Sequence, residues 1–256
     1  MIPFAGGELE ARRWRAFENL TFLPVTDSSN DLAVELIGMY FQEDERFPTT
    51  VLVAESEPGA HGRKGRWEAP AGRGLYFTFV REARAGEPIS LMPIAVARWL
   101  REAIRDATGV RVLLKWPNDL YVGRRKVGGI LAEARTQGED TYVAVGVGLN
   151  VLGSAASWNV RGATTLEEET GRAFALAPLL QCVLDRLDVE LAAPRWNEEV
   201  HAWERASVHR PGDSLTVRRE GKNLTGQYLG LSPEGFLKLK TASGETVVST
   251  GMLAQW

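Results

Sequence analysis

Strand-forming sequences follow one another closely in the middle of this 256-residue chain. A strand predicted over 110–114 stops at Lys115-Trp-Pro-Asn-Asp119, because the proline there has no N–H for a strand ladder. Two further runs form a hairpin around Gly123, and a hairpin joins antiparallel strands. The segment therefore predicts a β-sheet with short connecting turns. Its predicted strands are 110–114, 120–122, 126–134 and 142–150.

Helices are predicted on both sides of these strands. The polar sequence from Thr26 to Asp31 is rich in helix-capping side chains, and apolar residues follow it at helical spacing. The run 89–104 has the clearest helical period in the chain, whereas residues 1–20 have no pattern that assigns them. The predicted helices are 29–41, 89–104, a short one within 164–171, and 177–191; strands at 49–54 and 74–80 flank a glycine-rich loop at 57–67.

The composition changes near Pro211, where short alternating runs separated by glycine turns begin. This spacing predicts a small β-barrel, which has a thin core and should rest on the larger domain. We therefore predict two domains, 1–208 and 209–256. The alternating runs are 214–218, 226–231, 236–240 and 245–249.

Composition argues against several classes of protein. The 30 basic and 33 acidic side chains give a formal net charge of -3, which does not favour binding to nucleic acid or to an anionic membrane. No apolar run approaches the ~18 residues of a membrane span, and no signal peptide is evident. The single cysteine, Cys182, cannot form an intramolecular disulfide, and the three histidines are too scattered for usual zinc spacings. These features are typical of a cytoplasmic protein.

Two segments combine glycine with positive charge. In Gly62-Arg-Lys-Gly-Arg-Trp67, glycines let backbone N–H groups converge on an anion, arginine matches phosphate or carboxylate, and Trp67 suits stacking on a flat ring. The same loop equally suits a solvated basic hairpin, and it is not a P-loop. In Arg125-Lys-Val-Gly-Gly-Ile130, two glycines after a lysine permit close approach of a ligand, although a turn lysine is more often solvated.

Two further segments bear on chemistry. Asn118 and Asp119 follow a strand end, either at a pocket rim or in an ordinary turn. Gly146-Val-Gly-Leu-Asn150 lacks the third glycine and the following helix of a dinucleotide fingerprint. No arrangement of nucleophile and base is evident. Positive charge and glycine loops without a nucleophile favour phosphoryl or adenylyl transfer, which depends on positioning and charge stabilisation.

These four segments, in this order, resemble the biotin protein ligase family over roughly residues 26–256. The segments 115–121 and 125–131 are the most specific part of the resemblance, and Ser28-Ser-Asn30 resembles the start of the family's first helix. The resemblance implies an α/β (α+β) fold, with a mixed-sheet catalytic domain related to class II synthetases and lipoate ligases, followed by an SH3-like β-barrel. Some members carry an N-terminal DNA-binding domain, and the roughly 25 residues before Ser28 are too few for one.

The resemblance also implies a two-step reaction. The carboxylate of biotin attacks the α-phosphate of Mg-ATP to give biotinyl-5'-AMP and pyrophosphate, and a lysine of a biotin carboxyl carrier domain then takes the biotinyl group and releases AMP. By the same resemblance the catalytic residues are Lys126, Arg63 and Arg66. The implied biotin-binding residues are Ser28, Ser29, Asn30, Glu57, His61, Gly62, Arg63, Lys126 and Gly146; the implied nucleotide-binding residues are Arg63, Arg66, Trp67, Asn118, Lys126 and Asn150; Asp119 is the implied Mg²⁺ ligand.

The basic loop departs from the family pattern Gln-x-x-Gly-Arg-Gly. Here Glu57, Ala60 and His61 stand at the glutamine, glycine and arginine positions. Glu57 replaces an amide by an acid beside the biotin head group, although burial can keep a carboxyl protonated and able to donate. Two alternatives therefore stay open: a ligase for another carboxylate such as lipoate or octanoate, and a non-catalytic protein that binds biotin. The resemblance is compatible with a monomer or a homodimer.

Overall fold

A mixed sheet of seven strands forms the centre of the molecule. The computed structural model describes residues 9, 13–63, 65–67, 70–158, 162–219 and 221–255. The strand order is β1-β2-β3-β7-β6-β5-β4, in which β1 and β2 are parallel and the other neighbours antiparallel. The strands are β1 (Asn19–Leu23), β2 (Thr50–Ala54), β3 (Gly74–Glu82), β4 (Leu113–Lys115), β5 (Asp119–Val122), β6 (Arg125–Gln137) and β7 (Asp140–Asn150).

The two faces of this sheet are covered differently. One face packs its alternate apolar side chains, such as Phe77 and Val145, into the main core with three helices. The other face carries a smaller cluster, including Val80 and Ala144, under a single helix. The helices are α1 (Ser29–Gln42), which covers the smaller cluster, then α2 (Met92–Thr108), a short α3 (Leu166–Thr170), α4 (Leu176–Ala192) and α5 (Trp196–Ala206).

Helix α1 begins where the sequence predicts it. Ser28 is the N-cap residue, and its Oγ accepts a hydrogen bond from the Asp31 backbone N–H at 3.2 Å. Apolar positions of α1 pack on β2, β3 and β7, but the helix covers only part of this face. The first residues of α1 therefore lie over the middle of the sheet, next to a part of the sheet face that the helix does not cover.

A second, five-stranded antiparallel sheet follows α5, in the order β11-β10-β9-β8-β12. Its apolar side chains, including Leu215 and Leu237, belong to the same core cluster as Trp99 of α2. Trp116 Nε1 donates to the Gly235 carbonyl at 3.1 Å, so the turn between β9 and β10 also hydrogen-bonds to the segment between β4 and β5. The strands are β8 (Ser214–Arg219), β9 (Lys222–Leu231), β10 (Leu237–Thr241), β11 (Gly244–Val248) and β12 (Met252–Gln255).

The structure confirms the mixed α/β fold and the four predicted C-terminal strands, and adds three elements that the sequence did not predict: β1, α5 and β12. The strand predicted over 110–114 is paired only at Leu113–Lys115, and the helix predicted from residue 89 begins as a 3-10 turn. The barrel form of the second sheet and the boundary at residue 208 stay predictions. Among the described residues, no helix is long and apolar enough to cross a membrane.

Candidate functional site

A cavity of about 270 Å³ lies on the sheet face beside the N-terminus of α1. It contains every residue that the sequence analysis assigned to binding or catalysis except Asn150. Its wall also includes residues that the sequence analysis did not assign, among them Thr78, Lys115 and the segment 250–253, which spans a turn and the start of β12. The lining residues are Ser28, Ser29, Asn30, Glu57, Ala60, His61, Gly62, Arg63, Gly65, Arg66, Trp67, Thr78, 115–119, Lys126, 129–131, 146–148 and 250–253.

Three glycines, Gly129, Gly146 and Gly148, form the floor of the cavity and lie in two neighbouring cross-strand rows. In one row Gly146 pairs with Thr78 and Leu131, and in the next Gly148 pairs with Gly129. The rows are two residues apart along each strand, or about 7 Å. A Cβ at Gly148 would lie 2.8 Å from the Trp67 ring and one at Gly146 would lie 3.0 Å from Asn30 Oδ1, so neither position accepts a side chain without displacement of a wall.

Over the first row lies the helix end of the cavity, which we define by Ser29, Asn30, Glu57 and Thr78. The Ser29 backbone N–H donates to Glu57 Oε1 at 2.8 Å, and the Ser29 and Thr78 hydroxyls are 2.8 Å apart. Asn30 Nδ2 donates to the Glu133 carboxylate. Burial raises the pKa of the Glu57 carboxyl, against hydrogen bonds from Ser29 that lower it. This end is therefore built from hydroxyl, amide and carboxyl groups.

Over the second row lies the lysine end, which we define by Lys115, Asp119, Lys126 and Trp67. Lys126 Nζ is 2.5 Å from Asp119 Oδ1 and 5.3 Å from the centre of the Trp67 ring. Burial lowers the pKa of Lys115, which the Asp119 carboxylate opposes. With two lysines and one carboxylate, this end suits an anionic group.

Backbone hydrogen bonds on both sides hold Lys126 in place. On one side β6 pairs with β5, where a register shift near Tyr121 marks a β-bulge. On the other side the Lys126 N–H donates to the Gly162 carbonyl and its carbonyl accepts from Thr164, each at 2.8 Å. The preceding Arg125 forms ion pairs with two glutamates of α3. The lysine is thus fixed at its backbone while its ammonium group faces the cavity.

The basic loop closes one side of the cavity. Gly62 N–H donates to the Gly65 carbonyl at 2.9 Å and Trp67 N–H to the Ala60 carbonyl at 2.8 Å, so the loop is a narrow hairpin. His61 Nε2 is 3.0 Å from Asp31 Oδ1, and this contact raises the pKa of His61 and ties the loop to α1. Lys64 lies outside the described residues.

The two assigned arginines of the loop have different partners. The Arg63 guanidinium donates to Thr250 Oγ1 at 2.6 Å and lies 3.5 Å from the Gly251 carbonyl oxygen, both in the turn between β11 and β12 of the second sheet. Arg66 instead donates back to the Pro58 carbonyl at 2.6 Å. The loop is therefore anchored at three places: to α1, to itself and to the second sheet.

Three other side chains that the sequence analysis assigned to nucleotide binding are Trp67, Asn118 and Asn150. Trp67 lies against Gly148, and its Nε1 is buried without a hydrogen-bond partner among the described residues. Asn118 donates to the Ile130 carbonyl and so joins β6 to the segment before β5. Asn150 is not brought to the cavity wall: it is buried, and its Nδ2 donates to the Thr164 carbonyl at 3.0 Å.

A cavity with a cationic end, bordered by a glycine-rich basic hairpin on an α/β sheet, is typical of a protein that binds an anionic small molecule. Residues 22–150 match the model of the biotin/lipoate A/B protein ligase family, and the chain belongs to this family. The family expected from the sequence motifs is thereby confirmed.

Named relatives agree with this placement. The biotin–[acetyl-CoA-carboxylase] ligase of Paracoccus denitrificans is 30% identical over 212 residues, which are 77% of this chain and 86% of that protein. The bifunctional ligase/repressor BirA of Salmonella typhimurium is 31% identical over 155 residues, 59% of this chain. The matched region spans 47% of the length of that BirA protein.

A solved structure with ligands is also similar. The biotin protein ligase of Aquifex aeolicus in complex with biotin and ATP superposes with a TM-score of 0.72 at 26% identity. The match covers 93% of this chain and 98% of that chain. The fold therefore agrees over nearly the whole chain, including the second sheet.

Proposed function

We propose that this protein is an ATP-dependent biotin–protein ligase. In the first step the biotin carboxylate attacks the α-phosphate of ATP, so that biotinyl-5'-AMP forms and pyrophosphate leaves. In the second step the ε-amine of a lysine on a biotin carboxyl carrier domain attacks the mixed anhydride, an amide forms, and AMP leaves with the bonding electrons. Relatives named as biotin ligases, and a similar structure that holds both biotin and ATP, support this reaction.

The division of the cavity into two unlike ends is the observation that carries the proposal. Biotin has a ureido group with two N–H donors at one end and a carboxylate at the other. The helix end offers the Glu57 carboxyl and the Ser29 and Thr78 hydroxyls as acceptors, and the lysine end offers cations. The apolar dithiolane ring of lipoate and the alkyl chain of octanoate have no N–H donor for the helix end. This difference favours biotin over those acids.

Lys126 is the central residue of the proposed chemistry. Both steps increase negative charge on oxygen near the α-phosphate, and an ammonium group already fixed at that place stabilises this charge without reorganisation. We assign Arg63 and Arg66 to the phosphate oxygens and Trp67 to the base or ring of the ligand. Closing the hairpin over the adenylate would exclude water from an anhydride that hydrolyses readily.

Asp119 is our proposed protein ligand for the magnesium ion that accompanies ATP. Mg²⁺ commonly takes only one or two protein carboxylates and completes its octahedron with phosphate oxygens and water. A single carboxylate at the lysine end fits that pattern, and the described residues contain no cluster of three or more potential ligands that would hold a metal by themselves. The ion neutralises triphosphate charge when bound.

The acceptor, the assembly and the location complete the proposal. We expect the acceptor to be the lysine of a biotin carboxyl carrier domain, with no role for nucleic acid or membrane. We expect a cytoplasmic enzyme that is active as a monomer or homodimer.

The test of this function uses purified protein, Mg-ATP, labelled biotin and an apo carrier domain. We expect label on the carrier and release of AMP and pyrophosphate. Transfer of lipoate or octanoate instead of biotin would contradict the proposed substrate. Biotin binding without pyrophosphate release would show a non-catalytic binder.

Lys126→Ala should abolish adenylate formation, with a loss of at least about a hundredfold in biotin-dependent pyrophosphate exchange. Lys222→Ala is the matched control, because Lys222 is exposed on the second sheet and is not among the residues that line the cavity. Circular dichroism should be unchanged in both variants. Exchange at the wild-type rate in Lys126→Ala would refute the assignment of this lysine.

A further inference from the structure

We propose that Thr250 and Gly251, in the turn between β11 and β12, are part of the ligand site, and that Thr250 is a positioning residue which holds Arg63 at the lysine end of the cavity. This inference rests on the proposed function for the chemical meaning of Arg63. It assigns a role in ligand retention to Thr250. This residue lies outside the sequence motifs and outside the family match over residues 22–150.

Contacts from opposite sides of the cavity carry the inference. Arg63 belongs to the basic hairpin, whereas Thr250 is 187 residues away in sequence, and their side chains meet at 2.6 Å. The Gly251 carbonyl adds a second, longer contact of 3.5 Å to the same guanidinium. Residues 250–253 also line the cavity directly. The second sheet thus completes the wall that the hairpin leaves open.

The position of this turn is fixed by the second sheet and not by the hairpin. Val248 before the turn and Leu253 after it are buried in the main core. Gly251 has a φ of 152°, and a Cβ there would lie 2.4 Å from Val217 Cγ1. Glycine therefore lets the turn pass close to β8. A loop arginine bonded to such a turn has a defined place before any ligand arrives.

The chemistry of the two acceptors matters for the charge of Arg63. A hydroxyl and a carbonyl orient the guanidinium through hydrogen bonds but do not cancel its charge, as a carboxylate would. The positive charge therefore remains available to a phosphate of the adenylate. Holding the group in place beforehand lowers the ordering cost of closing the hairpin on the ligand.

The first experiment measures how fast a non-hydrolysable biotinyl-adenylate analogue leaves the protein. Thr250→Val removes the hydroxyl at an exposed position, and we expect dissociation to become roughly three- to tenfold faster. Thr250→Ser keeps the hydroxyl and should restore the slow rate. Ser249→Ala, at the neighbouring exposed residue, is the matched control and should behave as wild type. Equal rates for Thr250→Val and wild type would overturn the proposal.

A double-mutant cycle separates positioning from a general effect on the fold. In an Arg63→Ala background, Thr250→Val should change the dissociation rate no further, because its partner is already absent. Additive effects of the two substitutions would show that Thr250 acts independently of Arg63, and the proposal would be wrong.

A measurement without ligand distinguishes failure of this inference from failure of the proposed function. Trypsin cleaves after Arg63 and Arg66, and Thr250→Val should speed cleavage within the hairpin of the ligand-free protein about threefold or more. This outcome depends on the contact alone and holds whether or not biotin is the substrate. Unchanged cleavage would overturn the positioning role, whereas absence of adenylate formation by the wild type would overturn only the proposed function.

Discussion

At the scale of single residues, Glu57 gives the cavity its most distinctive chemistry. Its carboxyl lies at the helix end, where Ser29 donates to it and where Asp31 and Tyr76 lie near enough to affect ionisation. Burial raises the pKa of Glu57 because water solvates the charged form better than the cavity does. Whether neutral or charged, the group offers an acceptor oxygen to a donor on the ligand. The acid in place of a glutamine is therefore compatible with a ureido head group.

The raised pKa of Glu57 predicts a pH dependence of stability. Between the pKa in the unfolded chain, near the ordinary glutamate value of 4.5, and the higher pKa in the folded protein, the folded protein holds a proton that the unfolded chain lacks. The stabilising contribution is therefore complete below the unfolded pKa and is lost as pH rises through the folded pKa. Glu57→Gln should remove this loss. Urea unfolding of both proteins from about pH 4 to pH 8 should show the variant gaining relative stability toward high pH; parallel profiles would contradict the raised pKa.

At the scale of elements, the three helices behind the main core are joined through one buried cation. Arg98 of α2 is bonded to Glu199 of α5 at 2.5 Å and to Glu190 of α4 at 3.1 Å, and the exposed fractions of the three side chains are 7%, 1% and 7%. Trp99 Nε1 also donates to Glu199, at 3.1 Å. Arg98 supplies one positive charge to these two carboxylates, and Arg186 Nη1, 3.6 Å from Glu190 Oε1, adds a second. This junction supports the sheet from the face opposite the cavity.

Arg98→Met should destabilise the protein by about 3–5 kcal/mol, because it leaves buried carboxylates without their cation. The loss is measured as the free energy of unfolding in urea. Arg105→Ala is a suitable control on the same helix, since Arg105 is exposed and pairs only with surface carboxylate Asp106 among its described ion pairs. The control should change stability by less than about 1 kcal/mol. Equal losses of unfolding free energy in the two variants would show that the buried ion pairs contribute no more to stability than the surface pair.

At the scale of the whole molecule, the two sheets share one hydrophobic core. Side chains from β8, β9 and β10 belong to the same cluster as those of β3, β7 and α2. Polar contacts cross the same boundary: Trp116 Nε1 donates to the Gly235 carbonyl at 3.1 Å, and Leu231 N–H donates to Glu204 Oε1 at 2.7 Å. At the boundary predicted at residue 208, apolar side chains of the two sheets thus pack together in one core.

A shared core predicts that the two sheets unfold together. We expect a single heat-absorption peak in scanning calorimetry, with calorimetric and van't Hoff enthalpies in agreement. The reason is that separation of the sheets would expose apolar side chains of both. Two resolved transitions would show that the second sheet is an independent unit.

Local patterns in the sequence predicted most elements, and every residue that the resemblance assigned to the site except Asn150 lines the cavity, whereas more than half of the lining residues were not assigned. Capping side chains placed the start of α1, and the resemblance to the family assigned Arg63, Lys126 and Asp119 to one site. Strand β1 was missed because its residues 19–23 pair in parallel with β2, a non-local contact with no signature in so short a run. The roles of Asn150 and Thr250 depend on partners distant in the chain or on the path of the backbone, which periodicity and motif spacing do not record.

The glycines of the cavity floor limit how mutation can change the size of the cavity. Gly129, Gly146 and Gly148 already have the smallest side chain available, and an added methyl group at any of them meets a neighbour within 3.3 Å. Mutation at these positions can therefore only make the cavity shallower. Room for a bulkier analogue of the natural ligand has to be made at the walls, for example by trimming Leu131 or Thr78. Variants selected to accept larger ligands should therefore keep the three floor glycines and carry their substitutions in the side chains around them.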